Sequence, residues 1–287
     1  MTACLVSTHD ELITERGQMS PVAVVMTMGA LHEGHAELIH CARQEVGRAG
    51  CVIVTDFVNP TQFGEAEDFA RYPRTLDHDL ELASVAGADL LYAPSVEELY
   101  GSADLRDLTA HVMVDPGSLG SILEGRSRPG HFQGMLTVVA KFLHLTDPDI
   151  ALFGQKDYQQ LALITAMVKS LCFPIKVVGV PTVREDDGLA LSSRNRFLTK
   201  HERATAVALP RAIEVAAEVA AQDGAAAGER AGRAVLAEHP EIIVDYLVIT
   251  DPELGAPATG EGRVLVAATL GTVRLIDNMP CTIGGGG

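Results

Sequence analysis

The chain has 287 residues, 47% of them hydrophobic and 21% charged, and carries a formal net charge of -16. That length accommodates one large or two modest domains around a real core, and the acidic balance speaks against a nucleic-acid binder, whose affinity comes largely from phosphate neutralisation by Lys and Arg. No stretch reaches the roughly eighteen uninterrupted apolar residues of a membrane helix, and Met1 to Ser20 holds His9, Asp10, Glu11, Glu15 and Arg16 in place of a signal-peptide core, so a cytoplasmic location is expected.

In chain order, the apolar runs Val22 to Met28, Cys51 to Val58, Ala88 to Ala93, Ile150 to Phe153 and Ile175 to Val183 read as strands. Helices are expected to begin near Gly34, Leu76, Phe132 and Asp157, with Pro148 and Pro174 just past the ends of two of them. This alternation predicts a parallel sheet in a doubly wound, Rossmann-like α/β domain, whose ligands sit at the carboxyl ends of the strands. The character changes after Arg184: Glu185 to Asn195 reads as a mobile polar loop, Ala204 to Glu238 as Ala-rich helix, and Ile242 to Ile249, Arg263 to Ala268 and Thr272 to Asp277 as short strands. The expected division is therefore residues 1–184 as the larger domain and 185–287 as a smaller α+β domain, with the Gly284 to Gly287 tail disordered. Five cysteines, Cys4, Cys41, Cys51, Cys172 and Cys281, are scattered without a Cys-x-x-Cys pair and are expected to be reduced, mostly buried thiols.

Four segments carry candidate chemistry. Thr27 to His35 follows the first strong strand as a tight turn and helix start, with the pattern His32-Glu33-Gly34-His35. Unpaired N–H groups and the positive dipole end of such a helix suit an anionic phosphate, while Gly29 and Gly34 allow the backbone a close approach. Histidines that merely cap the helix are the plain alternative, and the His-Glu-x-x-His spacing of a helical zinc site is absent. Asp56 to Phe63 leaves Asn59 and Gln62 as neutral amides near that turn, although Asn-Pro alone is ordinary turn chemistry. Phe153 to Gln160 repeats strand, glycine and helix start, with Lys156 able to stabilise phosphate charge, Gln160 one turn along, and Asp157 suited to capping the helix or to accepting from ribose hydroxyls. Val183 to Asn195 offers two hydroxyls and a guanidinium, Ser192, Ser193 and Arg194.

With Tyr72-Pro73-Arg74-Thr75 and Leu275-Ile276-Asp277-Asn278, these ordered motifs make the chain resemble the pantoate-beta-alanine ligases (pantothenate synthetases), members of the nucleotidyltransferase superfamily related to class I aminoacyl-tRNA synthetases. The resemblance implies that Met28, Gly29, Ala30, Leu31, His32, Glu33, Gly34 and His35 bind ATP together with Gly154, Gln155, Lys156, Asp157, Val183, Leu191, Ser192, Ser193 and Arg194. It implies that Gln62 and Gln160 hold pantoate or beta-alanine with Asn59 and Met28, that His35 is the proton donor, and that His32, Lys156 and Arg194 share the catalytic charge stabilisation. Mg²⁺ is expected to bridge the ATP phosphates, with Asp79 as a candidate protein contact. The implied reaction joins pantoate and beta-alanine into pantothenate through an enzyme-bound pantoyl adenylate, releasing pyrophosphate and AMP, as the second step from ketopantoate toward coenzyme A. A homodimer formed through the larger domain is also implied, with neither nucleic acid nor membrane as partner.

Three positions depart from the family pattern: Met26 stands where proline is usual, Leu191 where methionine is usual, and His78 where acidic or amide residues are frequent. Two other readings share some of these features. A nucleotide-coenzyme adenylyltransferase uses the same histidine turn but keeps AMP in its product, and a non-catalytic ATP-binding protein would be expected to have lost one of Lys156, Arg194, His32 or His35, all of which are present.

Overall fold

The computed structural model describes residues 2–63, 69–70, 72–102 and 112–285. Its first unit, Met1–Gly154 with Leu163–Val180, contains Cys4–Val6 (β1), His9–Arg16 (α1), Val22–Thr27 (β2), Glu33–Val46 (α2), Cys51–Asp56 (β3), Leu76–Ala86 (α3), Leu90–Tyr92 (β4), His131–Thr146 (α4), Ile150–Gly154 (β5) and Lys176–Val180 (β6). The strands form one sheet in the order β1-β4-β3-β2-β5-β6, and every pairing in it is parallel. Strands covered on both faces read as continuous apolar runs, not alternating ones; Ala23, Val24, Val25, Val52, Ile53 and Val54 are all fully buried.

The chain winds from β2 through β3 to β4, then returns to the other side of β2 for β5 and β6. The winding reverses between β2 and β5, and such a reversal opens a crevice at the carboxyl ends of the two strands. The turn carrying His32 and His35 leaves from the carboxyl end of β2. Ile39, Ala42 and Val46 of α2 pack on this sheet with Ala83 and Ala86 of α3.

The second unit, Gln155–Ala162 with Pro181–Gly287, is built on an antiparallel sheet of Ile242–Thr250 (β7), Gly260–Leu270 (β8) and Val273–Ile283 (β9), in that order. Helix Tyr158–Ser170 (α5) begins in this unit, and the division runs through it after Ala162. Helices Ala208–Asp223 (α6) and Ala225–Ala237 (α7) cover the sheet, with Leu209, Ala212, Ile213 and Ala216 of α6 meeting Leu247, Val264 and Val266 in one apolar core. The two helices approach so closely that a Cβ at Gly228 would lie 2.4 Å from the Ala216 carbonyl oxygen, a separation no side-chain adjustment can relieve.

The doubly wound sheet and the smaller α+β unit agree with the sequence expectation, and several details differ for identifiable reasons. Strand β1 and helix α1 were not expected. The helix had a legible signal, since Thr8 caps it with Glu11 in a reciprocal capping box, while three residues are too few for a strand period to show. The single Ala-rich helix is broken at Gly224. Strand β9 runs past its expected end at Asp277 to Ile283 because it is an edge strand, where Pro280 costs no central ladder bond. The segment Gln155–Ala162 groups with the second unit, whereas the sequence division kept it in residues 1–184. The thiols are all free but not mostly buried: Cys51 is buried, while Cys4 and Cys172 are exposed. In the tail, the Gly284 N–H donates to the Ala220 carbonyl at 2.9 Å, so this residue is anchored, and residues 286–287 lie outside the described set. Among the described residues no helix is long and apolar enough to cross a membrane.

Candidate active site

In the first unit the site begins with two consecutive left-handed residues after β2, Gly29 at φ 75° and Ala30 at φ 51°. Ala30 in that region costs about 1–2 kcal/mol, so something must hold it. Two successive residues of this kind aim neighbouring N–H groups into one concavity that suits an anion, and here the anion belongs to the protein. Asp79, fully buried on α3, accepts the Ala30 N–H at 2.9 Å on one oxygen and the Leu31 N–H at 2.7 Å on the other, and Thr75 Oγ1 donates to it at 3.0 Å. Asp79 is thereby a loop anchor with both oxygens engaged, which does not fit the metal contact expected from the sequence. His78, one of the departures from the family pattern, is exposed on the same helix.

A second carboxyl lies beside it. Asp56, at the carboxyl end of β3, packs over Gly29 so closely that a Cβ there would fall 2.4 Å from its Oδ1. Burial pushes the Asp56 carboxyl up to about 7, and the charge of Asp79 and a hydrogen bond to it add to the rise. Below about 7 the Asp56 carboxyl therefore holds its proton against Asp79.

The histidines cap helix α2 reciprocally: the Gly34 N–H donates to His32 Nδ1 at 3.1 Å and the His32 N–H to His35 Nδ1 at 3.3 Å, with ring centroids 4.1 Å apart. The capping expected as an alternative to ligand binding is therefore present, and it satisfies helix-terminal N–H groups that had been assigned to a phosphate. The two roles are compatible. A ring that accepts at Nδ1 carries its proton on Nε2, so the caps fix both tautomers as Nε2–H donors.

Met28, Asn59 and Gln62 are brought together in the same unit. Gln62 Nε2 donates to Met28 Sδ at 2.8 Å, and its Oε1 accepts from Asn59 Nδ2 at 3.0 Å. Asn59, 1% exposed, also donates to the Gly134 carbonyl and accepts from Tyr100 Oη and Thr61 Oγ1. Its amide is thus used inside the protein, so it positions Gln62 and is not itself the ligand contact expected from the sequence. His131 completes the arrangement, with Nδ1 3.0 Å from the Gln62 carbonyl oxygen and Nε2 3.1 Å from Arg128. Tyr100 and His131 were not foreseen, since nothing local marks them: they reach the turn from 41 and 69 residues away only once the sheet is wound.

In the second unit Lys156 lies in a short 3-10 turn, Gln155–Asp157, and not within α5. It lines one cavity with Ser192, Arg194, Asn195, Arg274 and Asp277. Gln155, Asp157, Gln160, Leu191 and Ser193 are outside that lining; Asp157 is exposed and Gln160 half-buried. Val183 accepts the Leu191 N–H at 2.9 Å, and Arg184 pairs with Ala190, so Val183 to Leu191 is a small hairpin. Arg203 bridges Glu185 and Asp187 at 2.7 and 2.8 Å, and Asn195 donates to Glu185 and to the Ala190 carbonyl. The segment read as a mobile loop is instead cross-braced by ion pairs whose partners lie outside it in sequence.

Comparison with known proteins places these features in one family. The chain matches the family described as pantoate-beta-alanine ligase over residues 4–280. It is 54% identical to a pantothenate synthetase of Salinispora arenicola, covering 96% of each chain, and 52% identical to one of a Nocardioides species, covering 98% of this chain and 86% of the other. Among solved structures, pantothenate synthetase from Thermus thermophilus superposes with a TM-score of 0.86 at 46% identity, over 96% of this chain and 98% of that one. The pantoate-beta-alanine ligase of Francisella tularensis, crystallised with beta-gamma ATP and beta-alanine, superposes with a TM-score of 0.76 at 32% identity, over 96% and 97% of the two chains.

The Asp56 and Asp79 pair sets a pH dependence. The folded state keeps Asp56 protonated up to about 7 whereas the usual value is 3.8, so the contribution of the Asp56 carboxyl to stability is full below about 4 and is lost as pH rises through about 7. Asp56→Asn, whose Nδ2–H can donate to Asp79 in place of the carboxyl proton, is expected to flatten that fall. Urea unfolding of both proteins at pH 5 and pH 8 checks it; an equal pH difference in parent and variant would remove that proton from the account.

Proposed function

The chain belongs to the pantoate-beta-alanine ligase family and joins those two substrates in an amide bond; from this premise we propose how its residues divide the work. The observation that carries the reading is the match over residues 4–280, which takes in every motif described above. A carboxylate is a poor electrophile, so ATP activates it: a pantoate oxygen attacks the α-phosphorus, the bond to pyrophosphate breaks, and pantoyl adenylate remains bound. The beta-alanine amine then attacks the acyl carbon, the bond to AMP breaks with its electrons leaving on the phosphate, and the amine gives up a proton.

Chemistry of this kind runs on positioning and electrostatics, without covalent attachment to the enzyme. ATP contacts are assigned to Met28 to His35, Gly154 to Asp157, Val183 and Leu191 to Arg194. Within the first of these the N–H groups of Ala30 and Leu31 already serve Asp79, so the phosphate-facing donors are the Nε2–H groups of His32 and His35, with His35 as proton donor. Lys156 and Arg194, which line one cavity, offset charge growing on the phosphates. Pantoate is held by Gln62 and Gln160, since amides both donate to and accept from a hydroxy acid, with Met28 beside Gln62 and Asn59 behind it. Mg²⁺ carried on the triphosphate would neutralise phosphate charge, and among the described residues no three His, Cys, Asp or Glu side chains form a group able to hold a metal. A cytoplasmic homodimer is part of the same proposal, and a single-chain mass in light scattering would count against the dimer.

With ATP, Mg²⁺ and pantoate but no beta-alanine, pyrophosphate should appear in a burst approaching one per site and then slowly, because a held adenylate is protected from water. Adding beta-alanine should discharge it as AMP and pantothenate. Full-rate pyrophosphate release without the amine, or none, would contradict a held adenylate. Gln62→Leu should weaken pantoate by roughly 1–3 kcal/mol by leaving substrate hydroxyls without partners, while the KM for ATP stays nearly unchanged. Equal losses for both ligands would reduce Gln62 to a turn-shaping residue.

A further inference from the structure

Lys156 is one of the two cations assigned to offset phosphate charge, and the 3-10 turn that carries it has only three residues. What fixes that turn comes from the far end of the chain. Asn278 on β9, 3% exposed, donates from Nδ2 to the carbonyls of both Gln155 and Lys156, at 2.9 and 2.8 Å. Its Oδ1 accepts from Arg263 Nε at 2.8 Å and from a terminal nitrogen of the same guanidinium at 2.6 Å. A guanidinium only donates and a carbonyl only accepts, so the amide can face one way alone, and both of its N–H groups are spent on the backbone of the turn.

Arg263 is held in its turn, lying 4.0 Å over the Tyr158 ring and reaching Gln155 Oε1 at 3.3 Å. The preceding residue, Asp277, accepts Arg184 through both carboxylate oxygens at 2.7 and 2.9 Å. Arg184 opens the hairpin that leads to Ser192 and Arg194. Two consecutive residues of β9 thus hold the backbone under Lys156 on one side and the root of the Ser192 to Arg194 segment on the other.

We propose that Asn278 is a positioning residue for the ligation, acting through Lys156 by fixing the two carbonyls that flank it, with Arg263 locking the amide. This rests on the reading that Lys156 stabilises phosphate charge. A misplacement of about 1 Å in such a group can cost on the order of a hundredfold in rate, whereas Gln62, which the same reading assigns to pantoate, is held by Asn59 and Met28.

The experiment is a double-mutant cycle on steady-state pyrophosphate release with ATP, pantoate and beta-alanine all present, with melting temperature recorded for each protein. Asn278→Ala is expected to lower kcat roughly ten- to a hundredfold with the KM for pantoate nearly unchanged. In a Lys156→Ala background the same substitution should cost almost nothing further, because the group it positions is gone. Asn278→Ser, which keeps an acceptor for Arg263 but cannot span two carbonyls, should behave in the same way and serves if the alanine variant fails to fold. A loss that multiplies fully in the Lys156→Ala background, or a parental kcat, overturns the inference while leaving the role of Lys156 standing. A parental rate for Lys156→Ala itself overturns the underlying reading instead.

Discussion

The turn after β2 depends on one carboxylate. Ala30 adopts a left-handed backbone angle that would not persist unaided, and Asp79 holds it by accepting the Ala30 and Leu31 N–H groups in a fully buried position. A charge taken out of water is tolerated only when its oxygens are satisfied, and this one receives two backbone donors, a threonine hydroxyl and the Asp56 carboxyl. The direction in which α2 starts, the mutual capping of His32 and His35 and the tautomer of each ring all follow from where that turn is held.

The second unit solves the complementary problem. A strand-to-helix turn exposes N–H groups on one side and carbonyls on the other. In the first unit a carboxylate gathers the N–H groups; in the second an amide gathers the carbonyls of Gln155 and Lys156. Both holding residues are remote in sequence, 49 positions from Ala30 and 122 from Lys156. Each turn is thus held by tertiary structure more than by its own residues, and its geometry should be no more stable than the element that supplies the holding side chain.

This division explains what could be read from the chain. The strands β2, β3, β4 and β5 were legible because burial on both faces leaves an unbroken apolar run, and the ligand turns because glycine, histidine and lysine follow such runs directly. The ligase family was legible for the same reason, since its motifs are local and ordered. Asp79 looked like a metal contact and Asn59 a substrate contact because their residue types suit those roles, and only the fold reveals that their polar atoms are already committed. The 185–195 segment looked mobile because its charges are dense, while Arg184 and Arg203, which brace it, have partners no local pattern predicts. Asn278 belonged to a recognised motif without an evident task until its two carbonyl partners were located.

The most direct measurement of the central claim is residue-resolved amide hydrogen exchange in Asp79→Ala, with the parent as reference. Loss of the carboxylate should abolish protection at Ala30 and Leu31 and loosen the His32 cap, while the amides of β2 and β3 keep theirs and the affinity for ATP falls. Unchanged protection at Ala30 and Leu31, with ATP binding intact, would mean that the turn is held by its own backbone and that Asp79 is not the constraint on which the site rests.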